Sequence, residues 1–191
     1  MTPRAIDSAP DTQPLLTAAE AALDELRKDR PDHRHVVTWV SAHSAALQRV
    51  VYPAARHYLR SSHPAVDNAE ATTRRLEHVA FRLHQWLSGD GRGSALDVPA
   101  TKARLQTLIE QHLTELVDLT GELQAVLVAS VWDDLLVRHE RALAMAPTRP
   151  HPHIPHQGPA ERVAFRLASA VDRLMDALES QPSAPVPVAV R

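Results

Sequence analysis

Between Leu15 and Met145, apolar residues return every three or four positions, and they never alternate with polar ones over a useful length. At about 100° per residue, positions i and i+4 share a helix face, so each such run is one apolar stripe. Stripes without strands can be buried only helix against helix. The first stripe covers residues 15–28 with Leu15, Ala19, Ala22, Leu23 and Leu26, and Pro31 ends it. The second spans residues 32–60, with Asp32 as N-cap, and reads Val36, Val40, His43, Leu47, Val50, Ala54 and Tyr58. Pro53 inside it predicts a kink. The third, over 67–87, reads Leu76, Val79, Ala80, Leu83 and Leu87. The fourth starts near Ala100 with Leu105, Leu108, His112, Leu116, Leu119, Leu123 and Val126, and its periodicity runs on to Met145. That length predicts a bend near Gly121 or around Ala129-Ser130. The fold expected from these stripes is all-α: an up-down four-helix bundle over residues 15–145.

Proline marks what lies outside the bundle. Residues 1–14 hold Pro3, Pro10 and Pro14 among small polar residues and read as a disordered leader without the apolar segment of a signal peptide. Ser61 to Pro64 is a turn, and Ser88 to Pro99, with Gly89, Gly91 and Gly93, is the clearest loop. Residues 146–159 form a strap rich in proline and histidine, extended because its prolines exclude a helix. An additional C-terminal helix follows over 160–180, with Val163, Leu167, Val171, Leu174 and Leu178 on one face, and then a flexible tail over 181–191.

The composition removes several functions. Twenty-one Lys and Arg stand against 23 Asp and Glu, a near-balance that argues against nucleic acid as a partner. The absence of cysteine rules out disulfides, zinc ribbons and thiol catalysis, and it fits a cytoplasmic location. No run of about 18 apolar residues is present, so no membrane is expected. The glycines of the 88–99 loop follow a helix and cannot be the phosphate-cradling turn after a strand. No serine sits in a nucleophile elbow. Arg74-Arg75 and Asp133-Asp134 read as solvated helix faces.

Two histidines are left in the middle of apolar stripes. His43 points where Val40 and Leu47 point, and His112 where Leu108 and Leu116 point, so both imidazoles can lie inside the bundle. Around His43 the chain reads His43-Ser-Ala-Ala-Leu47-Gln48-Arg49-Val50-Val51-Tyr52-Pro53, around His112 it reads His112-Leu-Thr-Glu115-Leu116-Val117, and the strap begins Ala146-Pro-Thr-Arg-Pro-His-Pro-His-Ile-Pro. Over residues 32–180 this resembles the hemerythrin-like (HHE cation-binding) family. That family's motif is a His, a Glu four residues later, often a second Glu, and then an aromatic-Pro pair. The chain keeps the histidines and Tyr52-Pro53 and departs at the carboxylates, which are Leu47, Gln48 and Leu116. The resemblance implies further ligand histidines on the first and third helices. The first helix has none, and by wheel geometry His78 faces solvent while His84 lies at the edge of its stripe.

A di-iron centre needs carboxylates to compensate its charge. The ligands on offer are His43, His112 and Glu115, the last about 60° off the histidine's face. Three readings follow. In the first, the ancestral site has decayed, no cofactor is bound, and the bundle is a non-catalytic binding or interaction module; His43 and His112 are then a neutral core pair. In the second, the chain holds iron or another divalent metal and handles oxygen, peroxide or nitric oxide, as the resemblance implies for intact members. In the third, haem sits between the two imidazoles. His151, His153 and His156 could chelate a metal weakly or simply belong to a strap around the bundle. The partner is an unknown protein or small molecule, and the chain is a monomer or homodimer.

Overall fold

A computed structural model describes residues 13–60, 63–89 and 96–146. The expected leader up to residue 12, the strap beyond Ala146, the C-terminal helix and the tail lie outside the described residues. The described residues are helical and contain no strand, as the stripes require. The helices are α1 (Gln13–Arg27), α2 (His33–Ala46), α3 (Tyr52–Tyr58), α4 (Pro64–Leu87), α5 (Val98–Val126) and α6 (Ala129–Ala144). None of them is long and apolar enough to cross a membrane.

The helix starts follow local chemistry. Asp32 caps α2 by accepting hydrogen bonds from the backbone N–H groups of Arg34 and His35, and Asp97 caps α5 by accepting from Ala100. Pro64 and Pro99 occupy the first turns of α4 and α5, where a missing N–H costs nothing. The long fourth stripe divides at Leu127-Val128, whose extended backbone separates α5 from α6, two residues before Ala129. Gly121 stays inside α5 and breaks nothing.

The kink expected at Pro53 takes the form of a π-helical turn. Leu47–Val51 is wound more widely than an α-helix, and the Tyr52 N–H reaches back five residues to the Leu47 carbonyl. Proline has no N–H, and its ring collides with the carbonyl four residues back, so opening the turn ahead of Pro53 relieves the clash without ending the helix. The wide turn adds one residue to the spiral and shifts the later side chains. Of the expected stripe residues, Ala54 stays buried, Val50 is half-buried against the core, and Tyr58 leaves it at 45% exposure. Their neighbours Val51, Tyr52, Ala55 and Leu59 take the buried positions. Inside, the Tyr52 hydroxyl lies 2.6 Å from Thr73 Oγ1 and 3.2 Å from the Ala69 carbonyl, which the Thr73 hydroxyl also reaches at 2.9 Å. Outside, the Arg56 guanidinium grips both Glu70 oxygens at 2.9 Å and Asp67 at 3.0 Å, which fastens α3 to α4.

The core has two apolar halves. One joins Leu15 and Leu16 of α1 to Leu47, Val51 and Leu59, to Val66 and Ala69 of α4, to Leu116, Leu119 and Leu123 of α5 and to Trp132 and Leu135 of α6. The other joins Leu23 and Leu26 to Val36 and Val40, to Leu76 and Leu83 and to Leu105 and Ile109. Val126, expected at the end of the fourth stripe, is 54% exposed.

These contacts rank two substitutions. Leu47→Ala removes a fully buried side chain and should cost about 2–5 kcal/mol. Tyr52→Phe removes the buried hydroxyl that touches Thr73 and the Ala69 carbonyl, while Thr73 keeps its own bond to that carbonyl, and it should cost only about 1 kcal/mol. Urea melts of the two variants check the order; equal losses would mean that the register after the π-turn is not the one described.

Candidate functional site

Between the two apolar halves the core turns polar. His43 sits on α2 between Val40 and Leu47, one on each side of the divide, and His112 sits on α5 between Ile109 and Leu116 in the same way. Ser44, Thr72 and Thr73 are buried at the same level. The layer is what the sequence places there: polar residues at successive turns of stripes that are otherwise apolar.

The structure brings His43 and His112 together. Their Nε2 atoms are 3.1 Å apart, their rings meet edge to face, and both residues are buried. Only one of the two can donate across that contact, so the other ring carries its proton on Nδ1. Neither Nδ1 has a hydrogen-bond partner among the described residues. Trp39, one turn before His43, stacks on its ring at 4.8 Å. A third imidazole completes the group. His139 on α6 lies 6.2 Å from the His43 ring, again edge to face, at 1% exposure, and neither of its nitrogens is bonded among the described residues.

Sequence reasoning missed His139 because it lies in the stretch read as the far end of the fourth helix. The signal was present: Trp132, Leu135, His139 and Ala142 are spaced by three and four, and all four are buried. Among the described residues Glu115 forms no hydrogen bond with the imidazoles, and its Oε2 is buried without a partner. Gln111 donates to its Oε1 at 2.7 Å, and it lines an open cleft of about 490 Å³ with Ala65, Asn68, Asp118 and Glu122. Among the described residues no three of His, Cys, Asp or Glu stand together in a geometry that could hold a metal ion. His78 is exposed and His84 is at the boundary, as the wheel required; Arg74, Arg75, Asp133 and Asp134 are exposed.

The carboxylate positions of the motif are apolar or neutral in fact as well as in sequence. Leu47 and Leu116 are both fully buried in one apolar half. Gln48, in the π-turn, donates from Nε2 to Glu77 of α4 at 3.2 Å. Glu77 is a buried carboxyl that the sequence did not single out, since it sits beside Leu76 with nothing in its spacing to mark it.

Burial sets the protonation of the layer. His112 and His139 are pushed down to about 4 by loss of solvent. His43 is pushed well down by burial first and then by the other two imidazoles. All three are neutral near pH 7. Burial pushes Glu77 up to about 7, against the Gln48 hydrogen bond and the Arg74 charge, which lower it. The layer therefore contains groups that can exchange hydrogen bonds or give ring nitrogens to a ligand, and little fixed charge.

Compared with models of known families, with curated proteins and with solved structures, the chain matches none.

Two opposed pH effects follow. An unfolded imidazole takes up its proton near pH 6.5, but the folded His112 and His139 do so only near 4. Their contribution is present in full above pH 6.5 and is lost between 6.5 and about 4, on the order of 3 kcal/mol per imidazole at the acid end. Glu77 works the other way. The unfolded carboxyl ionises near 4.5 and the folded one near 7, so its contribution falls as pH rises through that window. Glu77→Gln should leave stability at pH 4 unchanged and raise it increasingly toward pH 7.5, by on the order of 3 kcal/mol at most. Urea melts at four pH values measure the divergence, and parallel curves would show that Glu77 is not held protonated by burial.

Proposed function

We propose that this chain is a hemerythrin-like up-down helical bundle whose di-iron site has decayed, and that it works as a non-catalytic binding module through its central polar layer. The observation that carries the reading is the pair Leu47 and Leu116. Each stands four residues after a core histidine, where the motif calls for a carboxylate, and each is fully buried in the apolar core. The bundle topology has support in the packing. One apolar half takes the start of α1, the end of α3, the start of α4 and the end of α5, and the other half takes their opposite ends. Consecutive long helices then run in alternate directions, with α6 added after the fourth.

The donor set does not fit a di-iron centre. Two hard cations a few ångströms apart require bridging carboxylates. Glu115 is bonded to Gln111 in the α4–α5 cleft, and Glu77 is held by Gln48. The motif's histidines remain without the charge compensation that makes them a redox site. Haem would have to part His43 and His112, whose Nε2 atoms are 3.1 Å apart, since an iron between two ligands at roughly 2 Å each needs about 4 Å and a slot for the macrocycle.

Iron content tests this reading. Chain purified from cells without an affinity tag should carry well under one iron per chain. Leu47→Glu with Leu116→Glu restores two carboxylates one turn from each histidine. The double variant should be less stable without metal, because unpaired carboxyls enter an apolar core, and iron should recover part of the loss by binding the folded state. Two irons per wild-type chain would sink the reading.

A further inference from the structure

We infer that the cleft between α4 and α5 is an interaction surface whose occupant is this chain's own segment 160–180, docked as an amphipathic helix. The inference goes beyond the reading of the polar layer and does not depend on it.

The first support is charge. The cleft, about 490 Å³ in volume, is lined by Ala65 and Asn68 of α4 and by Glu115, Asp118, Gly121 and Glu122 of α5. The three acids recur at spacings of three and four, so they form one stripe along α5. None of them is paired with a Lys or Arg among the described residues. Glu122 meets His63 Nε2 at 3.0 Å, and Glu115 keeps a buried Oε2 without a partner. Residues 160–180 lie outside the described residues, and their sequence supplies the complement. On a helical wheel Arg162, Arg166 and Arg173 fall within about 40° of one another, along one flank of the apolar face that holds Val163, Leu167, Val171, Leu174 and Leu178. The acids Glu161, Asp172, Asp176 and Glu179 fall on the other flank. A stripe of guanidinium groups beside an apolar face is the charge partner of a carboxylate stripe beside a cleft.

The second support is shape. Val117, which also lines the cleft, is 52% exposed. Glycine inside a helix lowers stability relative to alanine, and nothing stands within 4 Å of where a Cβ on Gly121 would be. The packing of the described residues therefore does not account for the glycine. A helix laid across α5 at this point does, because a bare backbone lets it approach closely.

The third support is reach. The described chain ends after α6, which lies against α1, α2 and the wide turn, whereas the cleft opens between α4 and α5. Crossing the bundle takes two interaxial spacings, about 20 Å. Returning along α6 takes about 24 Å more in the perpendicular direction, a direct path of roughly 31 Å. A polyproline-like strap over residues 147–159 spans about 40 Å at about 3.1 Å per residue. The segment can therefore reach the cleft of its own chain, where tethering gives it a high effective concentration over a second copy.

The test uses the full chain, whose sequence contains no cysteine. Gly121→Cys is combined either with Ala170→Cys, between the arginine flank and the apolar face, or with Asp176→Cys, on the opposite side of the same helix. A short bismaleimide is added to dilute protein, and the products are separated by mass under denaturing conditions. The pair with Ala170→Cys should close within one chain on the order of tenfold faster than the pair with Asp176→Cys. Reversing Arg162→Glu, Arg166→Glu and Arg173→Glu should remove that difference. Adding Asp118→Lys and Glu122→Lys to the reversed chain should restore it in part. Equal rates for the two pairs, or a difference that survives the arginine reversal, overturns the inference. Preferential linkage between two chains gives the cleft to a second copy and overturns it as well.

Discussion

Pro53 cannot donate a backbone hydrogen bond, yet the helix that contains it continues to Tyr58. The wide turn over Leu47–Val51 reconciles the two, and much of the remaining structure depends on it. Before the turn, His43 and Leu47 share the core face; after it, the face has moved by one residue, so Tyr52 enters the core and Tyr58 leaves it. Tyr52 then reaches Thr73, Gln48 reaches Glu77, and Arg56 reaches Glu70, three links from one segment to α4. A regular helix would have sent these side chains in other directions.

The polar layer that these links border runs against ordinary core economy. Two apolar halves of similar make-up could have met directly, and each buried imidazole without a partner lowers stability. Retaining three of them in the core gives the molecule a place where acid can destabilise it. Neutral rings also leave the layer uncharged near pH 7, so it can sit between the halves without the desolvation cost of ions. Glu77 is the exception, and burial holds it near the boundary of ionisation.

Leu47 and Leu116 decide what the layer is not. Both belong to the same apolar cluster as Leu119, Leu123 and Trp132, and their contacts stabilise one half of the core. In the proposed reading, that packing stands where the resemblance expects the ligands of a charged centre. Chemistry that needs bridging oxygen ligands is thereby excluded from these two positions, while binding through nitrogen is not.

By itself the sequence determined that the chain is helical, where α1, α2 and α4 lie, that Asp32 caps α2, and that His43 and His112 point inward. Those features depend on local capping and on a period that a single stripe displays in full. Only the tertiary structure decided the rest. The π-turn at Pro53 moved the register because an extra residue per turn leaves no mark in the apolar spacing. His139 joined the site because α6 folds back after Leu127-Val128, a direction that no periodicity records. Glu115, three residues from His112, went to the α4–α5 cleft because about 60° of helix rotation carries it away from its neighbour's face. Glu77 became a titrating group through burial, which depends on what packs over a residue and not on where it stands in the chain.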